Sequence, residues 1–316
     1  MTENQISVEY LQSNEAVAMG AVEITAIPDI SVIDGKRMDA DAVVAEYKRD
    51  MGQLLSEIYQ HYKEESTVAG QYKDIALEMI WTTEEVKNQP YKARVKMYFV
   101  VRAIDVAEQN AIRLVNGLLS IIKSTVELQK YEYQDVTAVE LQKEMYRIKD
   151  TAVKALVKEE RIENLQNQIL PYCYAYDRIT DTGKDLSYIL NTLIHYPDCA
   201  LSVQLIPTVF DASEMAELNN VLQIVDSLGH GVMDMGMANV TFAMAQKQAD
   251  NYRYYVQQNN SPLFLYNILV YGDAQAVPNI ATRVYGQITN PEAPVNMKLL
   301  DLYADEVQKD SNLYPL

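Results

Sequence analysis

Two distant segments of the chain repeat one pattern, and this repeat restricts the folds that the chain can adopt. Residues 97–118 read MYFVVRAIDVAEQNAIRLVNGL, and residues 265–286 read LYNILVYGDAQAVPNIATRVYG. In each segment an apolar run typical of a strand leads to a single Asp, at Asp105 and Asp273, and then to apolar residues at helical spacing. This pattern predicts a chain in which strands and helices are mixed.

The separation between the two Asp residues also relates other positions in these segments. It brings Tyr98 onto Tyr266 and Ile112 onto Ile280. We interpret the segments as the third strand and the second helix of a duplicated unit. The alternative is a chance match between two generic strand–Asp–helix segments, but the agreement of element order in the two halves favours duplication.

The first half of the chain has the element order of one known type of domain. Its patterns predict a strand in GAVEITAIPDI, an amphipathic helix that Asp39 or Asp41 can cap, and a hairpin formed by DIALEMIW and RVKMYFVV. A helix after Asp105 and a strand in KYEYQDV complete this half. The order strand, helix, strand, strand, helix, strand is that of ferredoxin-like (split βαβ) domains.

The second half repeats this order with an insertion. Strands are predicted in ILPYCYAYDRI, ALSVQLIP, PLFLYNILVYG and NMKLLDLYAD, with helices after the first and the third. Two further helices, at about residues 211–258, separate the second strand from the third. The predicted fold class is therefore α+β, with two tandem ferredoxin-like (βαββαβ) units, of which the second carries a helical insertion.

These patterns divide the chain into three parts. Residues 1–136 are the first unit with an N-terminal strand, and residues 167–316 are the second unit. The charged residues 137–166 have a helical pattern, and we interpret them as a helical connector. Their mildly basic character could serve a phosphate or lipid contact, but a solvated helix face with i,i+4 ion pairs is the better explanation.

The charge of the chain restricts its partners. It has 44 acidic and 27 basic residues, which gives a formal net charge of -17. A surface with this charge repels phosphate backbones. We therefore expect no direct binding of nucleic acid.

Cysteine content and hydropathy indicate the compartment. Cys173 and Cys199 are the only cysteines and form no C-x-x-C pair, which favours a reducing environment. No apolar run reaches the roughly 20 residues that span a bilayer, and the N-terminus does not resemble a signal peptide. We therefore expect a cytoplasmic chain without a transmembrane segment.

Known catalytic motifs do not occur in the sequence. The nearest approach to a P-loop is RITDTGKDL, in which Arg178 replaces the first Gly and Asp185 replaces the hydroxyl residue. The histidines His61, His195 and His230 are scattered and belong to no catalytic motif. We therefore predict no catalytic residue, no cofactor and no metal site, and we expect that this chain is not an enzyme.

The segment GHGVMDMGMANVTFAM is rich in methionine. Met233, Met235 and Met237, together with His230, carry soft donor atoms of the kind that bind copper(I). Methionine at this density also supplies adaptable packing against a partner, and we favour that interpretation.

A cluster of tyrosines follows in the second inserted helix. Tyr252, Tyr254 and Tyr255 lie beside Arg253, a combination that can stack on bases. On an acidic chain a protein interface is the better explanation. We therefore predict that the insertion makes the main protein–protein contact through these tyrosines and the three methionines above. The alternative is that it packs across the open face of a sheet and completes the core.

Two stretches, RVKMYFVVRAIDVAEQNAIRLVNGLLSIIKS and CALSVQLIPTVFDASEMAELNNVL, resemble the N-terminal region of HerA/FtsK-like ATPases, including the ATPases of conjugative type IV secretion. The resemblance covers much of residues 20–290 in element order and apolar pattern. It implies a non-catalytic region for docking and assembly, which forms a homo-oligomeric ring or binds a protein partner. In that family this region precedes a P-loop motor that translocates DNA or protein. Because this chain has no Walker motif, ATPase activity is expected only of a longer parent protein.

The sequence is compatible with three classes of function. The chain ends with KDSNLYPL, and we expect it to be the N-terminal portion of a longer product. The main alternative is a free-standing scaffold that self-associates through its Tyr- and Met-rich surfaces. An enzyme whose site is assembled from scattered residues is a third. A reading frame that continues beyond Leu316 into a P-loop would favour the first function, and a stop codon would favour the second.

Overall fold

The computed structural model of the chain describes residues 6–29, 32–33, 36–37, 39–69, 73–87, 90–148, 152–158, 161–165, 170–175, 187–229, 238–258, 261–289 and 297–302. The strands in these ranges are β1 (Ser7–Tyr10), β2 (Ala16–Ala26), β3 (Val32–Ile33), β4 (Lys36–Arg37), β5 (Asp74–Glu85), β6 (Ala93–Asp105), β7 (Glu132–Val136), β8 (Ala152–Lys158), β9 (Ile162–Asn164), β10 (Tyr172–Tyr174), β11 (Ala200–Thr208), β12 (Leu263–Gly272) and β13 (Met297–Leu302). The helices are α1 (Ala40–Ala69), α2 (Glu108–Leu128), α3 (Ala138–Ile148), α4 (Ser187–Leu193), α5 (Ala212–Gly229), α6 (Ala238–Gln257) and α7 (Ala276–Ile288).

Most of the strands belong to one large sheet. Nine strands form it in the order β1-β2-β6-β5-β11-β12-β8-β13, and β7 pairs with β2 beyond the end of β1. The pairings in this sheet are antiparallel. Two short ribbons, β3 with β4 and β9 with β10, lie outside it. The α+β class predicted from the sequence is therefore confirmed.

The first half of the sheet buries one face under α1 and α2. Ala42 N donates a hydrogen bond of 2.8 Å to Asp39 Oδ1, so Asp39 is the one of the two candidates, Asp39 and Asp41, that caps α1. α2 approaches β2 closely at Gly20, which has no side chain. A Cβ at this position would lie only 2.7 Å from Leu119 Cδ1. The core residues that α1 and α2 supply recur at helical spacing and include Leu54, Ile58, Tyr62, Leu114, Leu118 and Ile122.

The second half of the sheet buries the same face under α4 and α7. Its core includes Leu193 from α4, Val277 and Ile280 from α7, and Val270 from β12. Trp81 packs against both this core and the core of the first half, so the two helix pairs cover one face of the sheet. We call this the front face.

The opposite, back face has a separate apolar cluster. Met19, Tyr98, Val100, Ala155 and Leu269 belong to it, and they come from both halves of the sheet. α3 packs against β2 and supplies its Leu141 to this cluster. Both faces of the central strands are therefore apolar over much of their length.

The two halves meet where β5 pairs with β11. The pairing runs from Leu77 opposite Leu205 to Thr82 opposite Ala200. Beyond it, the Thr83 hydroxyl accepts a hydrogen bond of 2.8 Å from Cys199 N. The backbone ladder is therefore continuous from one half to the other.

Within the described part of the predicted connector, residues 137–166, α3 is the only helical segment. The strand β8 follows it and lies between β12 and β13 in the large sheet. Val153 and Ala155 are buried and alternate with Lys154, which is the period of a strand. Charged residues on both sides of this short run made it resemble a polar helix.

The strand predicted in ILPYCYAYDRI is present, but it does not belong to the large sheet. Its central residues form β10, which pairs with β9 in a separate ribbon rather than in the large sheet.

The repeated segments occupy corresponding positions. β6 lies between β2 and β5, and β12 lies between β8 and β11. Asp105 Oδ1 accepts a hydrogen bond of 2.9 Å from Ala107 N, and Asp273 Oδ1 accepts one of 2.8 Å from Gln275 N. Each Asp closes the turn between a strand and the following helix.

Of the two residue pairs expected from the repeat, Ile112 and Ile280 both pack against the front-face cores, but Tyr98 and Tyr266 do not correspond. Tyr98 lies in the back-face cluster, whereas Tyr266 packs against the front-face core of the second half. Successive side chains of a strand point to opposite faces, so the two strands differ by one residue in register. β6 runs through Asp105, whereas β12 ends at Gly272, which has a φ of +144°.

Helix length and hydropathy also bear on membrane insertion. Among the residues that the structure describes, no helix is both long and apolar enough to cross a membrane.

Candidate functional site

The inserted helices form a small core of their own. α5 and α6 pack against each other, and together with the ribbon of β9 and β10 they enclose Leu165, Cys173, Val225, Ala245 and Ala249. We call these four elements the lobe. The insertion predicted at about residues 211–258 thus packs against the ribbon. The sequence analysis had assigned β9 to the helical connector and β10 to a strand of the second unit.

The lobe projects from one end of the second half. Ile268 pairs with Leu156 and Leu263 pairs with Thr208, so the ends of β8 and β11 and the start of β12 lie together. The chain leaves the sheet for the ribbon after β8 and for the helical hairpin after β11. Connections at the end of a rigid sheet are common positions for binding segments.

A capping box fixes the first turn of α5. Glu214 N donates to Asp211 Oδ1, and Asp211 N donates to Glu214 Oε2, both at 2.8 Å. This reciprocal pair satisfies backbone donors that the helix itself leaves open. The hairpin therefore leaves the sheet in a defined direction.

The three predicted tyrosines of α6 have different environments. Tyr252 is only 2 % exposed, and its hydroxyl donates a hydrogen bond of 3.0 Å to the carbonyl oxygen of Tyr174 in the ribbon. The side chain of Tyr252 therefore contributes to the packing of the lobe. Tyr254 is 38 % exposed, and its ring lies edge-on to Tyr255 at a centroid distance of 5.5 Å. Tyr255 in turn lies edge-on to Phe210 at 6.5 Å.

Polar contacts bind the two helices of the lobe. Arg253 of α6 donates to Asp226 of α5 at 2.5 Å and to Asp250 at 2.7 Å. Gln248 is fully buried, and its Nε2 has no hydrogen-bond partner in the part of the chain that the structure describes.

The methionine prediction stays a prediction. Met233, Met235 and Met237 lie outside the described residues. Within the described residues, no group of three or more His, Cys, Asp or Glu side chains is placed to hold a metal ion.

The outer side of the ribbon exposes apolar side chains. Cys173 points into the lobe core, so its neighbours Tyr172 and Tyr174 point outward and are 57 % and 54 % exposed. Ile162 lies opposite Tyr174 and is 57 % exposed. We call Ile162, Tyr172 and Tyr174 the ribbon face. The alternation of Tyr and Cys was visible in the sequence, but it could not show which side is open.

A buried polar cluster lies on the back face at the junction of the two halves. Glu78 of β5 is fully buried and accepts a hydrogen bond of 2.7 Å from Arg102 Nη2 of β6. The Ser202 hydroxyl of β11 donates to the other oxygen of Glu78. Asn267 Nδ2 of β12 donates to Gln204 Oε1 at 3.3 Å. The cluster thus spans four strands, two from each half.

The environment of Glu78 opposes its charge. Burial raises the pKa of this carboxyl above its ordinary value, and the Arg102 guanidinium, the Ser202 hydroxyl and the Gln204 side chain act in the opposite direction. Gln204 Nε2 nevertheless has no hydrogen bond of standard geometry among the described residues. We therefore regard Arg102 and Ser202 as the groups that hold Glu78. Chemically, the arrangement ties the two halves together.

The two cysteines are buried thiols. Burial raises the pKa of Cys173 and of Cys199 to about 11 each. At neutral pH both side chains are therefore protonated and weak nucleophiles.

Two comparisons with known proteins bear on the identity of the chain. A scan against protein-family models finds no matching family, and a search of curated proteins finds no significant match.

Proposed function

We propose that the chain is a non-catalytic assembly or docking domain, in which the lobe makes the contact with neighbouring copies in a homo-oligomer. The observation that carries this proposal is the lobe itself. It has its own apolar core, it projects from one end of the sheet, and it exposes Tyr254 beside the edge-on ring of Tyr255. Aromatic side chains at such positions are the usual anchors of protein interfaces.

We also propose that the two halves of the sheet are tandem ferredoxin-like units. Apart from β1, each half contributes four strands to the sheet, which we number 1 to 4 in the order in which they occur along the chain. The first half then runs β7-β2-β6-β5 and the second runs β13-β8-β12-β11, so both follow the order 4-1-3-2. This supports two tandem ferredoxin-like units that are joined through their second strands.

The proposed context is the N-terminal region of a HerA/FtsK-like ATPase that translocates DNA or protein. The support is the element order and the sequence resemblance given above, and the chain would then work in the cytoplasm as part of a ring. A free-standing, self-associating scaffold would use the same lobe contact. The reading frame beyond Leu316 distinguishes these two contexts.

Sedimentation analysis of the purified chain tests the lobe contact. We expect the wild type to have a mass that is a multiple of 35.9 kDa, and Tyr254→Ala to shift toward the single-chain mass with little change in melting temperature. Tyr91→Ala is the matched control, because Tyr91 is also 38 % exposed but lies outside the lobe. A wild type that stays at 35.9 kDa at all soluble concentrations would overturn the proposal.

A further inference from the structure

We propose that the ribbon face (Ile162, Tyr172 and Tyr174) binds a basic segment, carrying Arg or Lys side chains, of a partner protein. This inference rests on the docking role proposed above, but it concerns a different surface. The proposed contact between copies lies on α6, whereas this one lies on β9 and β10.

The ribbon holds its two tyrosines in fixed positions. Beyond its ladder, Leu165 N donates to Pro171 O at one end and Ala175 N donates to Arg161 O at the other, both at 2.8 Å. The Tyr252 hydroxyl fixes the carbonyl of Tyr174 from the side of α6. Little conformational entropy is therefore lost when a ligand meets these rings.

Exposed tyrosine rings attract cations, and this chain already uses that contact internally. The Arg283 guanidinium lies 4.8 Å from the ring centroid of Tyr188, and Lys63 Nζ lies 5.9 Å from that of Tyr59. Two rings on alternate residues of one strand offer such a surface to an extended segment.

The charge of the lobe also favours a cationic partner. Its arginines are engaged, since Arg161 pairs with Glu163 at 2.9 Å and Arg253 pairs with Asp226 and Asp250. Glu214 and Glu217 of α5 are exposed. Nucleic acid phosphates would be repelled by this chain, and a second copy, with 44 acidic against 27 basic residues, is a poor source of cations.

Fluorescence anisotropy with a labelled Arg-Gly-Ser repeat peptide tests this proposal. The double variant Tyr172→Ser, Tyr174→Ser leaves the charge of the chain unchanged, so a lower affinity reports the rings and not the net charge. We expect its affinity to be about tenfold lower than that of the wild type. Tyr91→Ser is the control and should bind as the wild type does. If the serine variant unfolds, Tyr172→Leu with Tyr174→Leu retains an apolar ribbon without strong π faces and should show the same loss.

Three results would overturn the proposal. Equal peptide affinity of the wild type and both double variants would mean that net charge alone holds the peptide. Absence of binding to the wild type would exclude a basic ligand at this face. A fall in the sedimenting mass of the double variant would make the ribbon face an interface between copies. The proposed oligomer depends on Tyr254 and not on the ribbon face. If the chain forms no oligomer, sedimentation of the wild type would show this, and peptide binding would be unaffected.

Discussion

Glu78 and Gln204 face each other across the strand pair that joins the two halves of the sheet. Both side chains are buried, and Glu78 is also bound by Arg102 from its own half and by Ser202 from the other. A carboxylate at this place costs free energy of desolvation unless its partners are present. The cluster therefore makes the correct pairing of β5 with β11 a condition for burying Glu78.

Loss of the arginine should destabilise the chain strongly. Arg102→Met leaves the Glu78 carboxylate buried without its cation, and we expect the free energy of unfolding to fall by about 3–5 kcal/mol. Arg113→Met removes a comparable pair with Glu65 that is exposed on the arginine side, and it should cost about 1 kcal/mol or less. Urea unfolding of both variants measures the difference. Similar losses for the two variants would show that the junction pair has no special role.

The raised pKa of Glu78 predicts a pH dependence that Glu78→Gln should abolish. Burial places the pKa in the folded chain above its unfolded value of about 4.3, so ionisation of Glu78 opposes folding at neutral pH. The stability of the wild type relative to Glu78→Gln should therefore rise as the pH falls through the folded pKa, and level off below about pH 4. Unfolding curves over this pH range measure the difference in free energy of unfolding between the two proteins. The contributions of the other titratable groups cancel in this difference. A relative stability that falls on acidification would mean that Arg102 outweighs burial.

Gly272 should tolerate no side chain. Its φ of +144° disfavours other residues, and a Cβ there would lie 2.6 Å from Cys199 Sγ and 2.7 Å from Cys199 Cα. We expect Gly272→Ala to lower the free energy of unfolding by on the order of 1–3 kcal/mol. Gly286→Ala is the control, because a Cβ at this helical position meets nothing within 4 Å and should add about 1 kcal/mol. Equal stability of the two variants would refute the requirement for glycine at position 272.

The hydroxyl of Tyr252 should stabilise the lobe. Tyr252→Phe keeps the buried ring but removes the hydrogen bond to the Tyr174 carbonyl, which we expect to cost about 0.5–1.5 kcal/mol. Hydrogen exchange should therefore become faster in β9, β10 and α6 and stay unchanged in β2 and β6. Tyr254→Phe alters an exposed ring and serves as the control. Uniform acceleration across the whole chain would show that the lobe is no separate unit.

Parts of the fold could be predicted from local patterns. The cap at Asp39, the hairpin of β5 and β6 and the strand–Asp–helix repeat depend on residues close together in sequence, and the structure contains them. The strand β8 was missed because seven residues between charged stretches give too little periodicity to separate strand from helix.

The two candidate sites depend on distant contacts, which one sequence does not reveal. In the sequence, Glu78 occupies a polar position of an alternating strand, which is typical of a face exposed to solvent. In the structure the back face is also covered. The partner of Glu78, Ser202, is 124 residues away in sequence. The lobe core likewise joins Cys173 to Val225 across segments that the sequence assigned to different parts of the fold. Alternation shows that a strand has two faces, but only the fold shows what each face meets.

Photo-cross-linking from position 254 tests whether the lobe forms the contact between copies. A p-benzoylphenylalanine at Tyr254 should give a covalent adduct between copies of the full chain, because this ring lies in the proposed contact between them. The same group at Tyr91, which is equally exposed outside the lobe, should give little adduct. Equal yields from the two positions, or no adduct from Tyr254 at concentrations where the chain associates, would contradict the assignment of the lobe as the assembly surface.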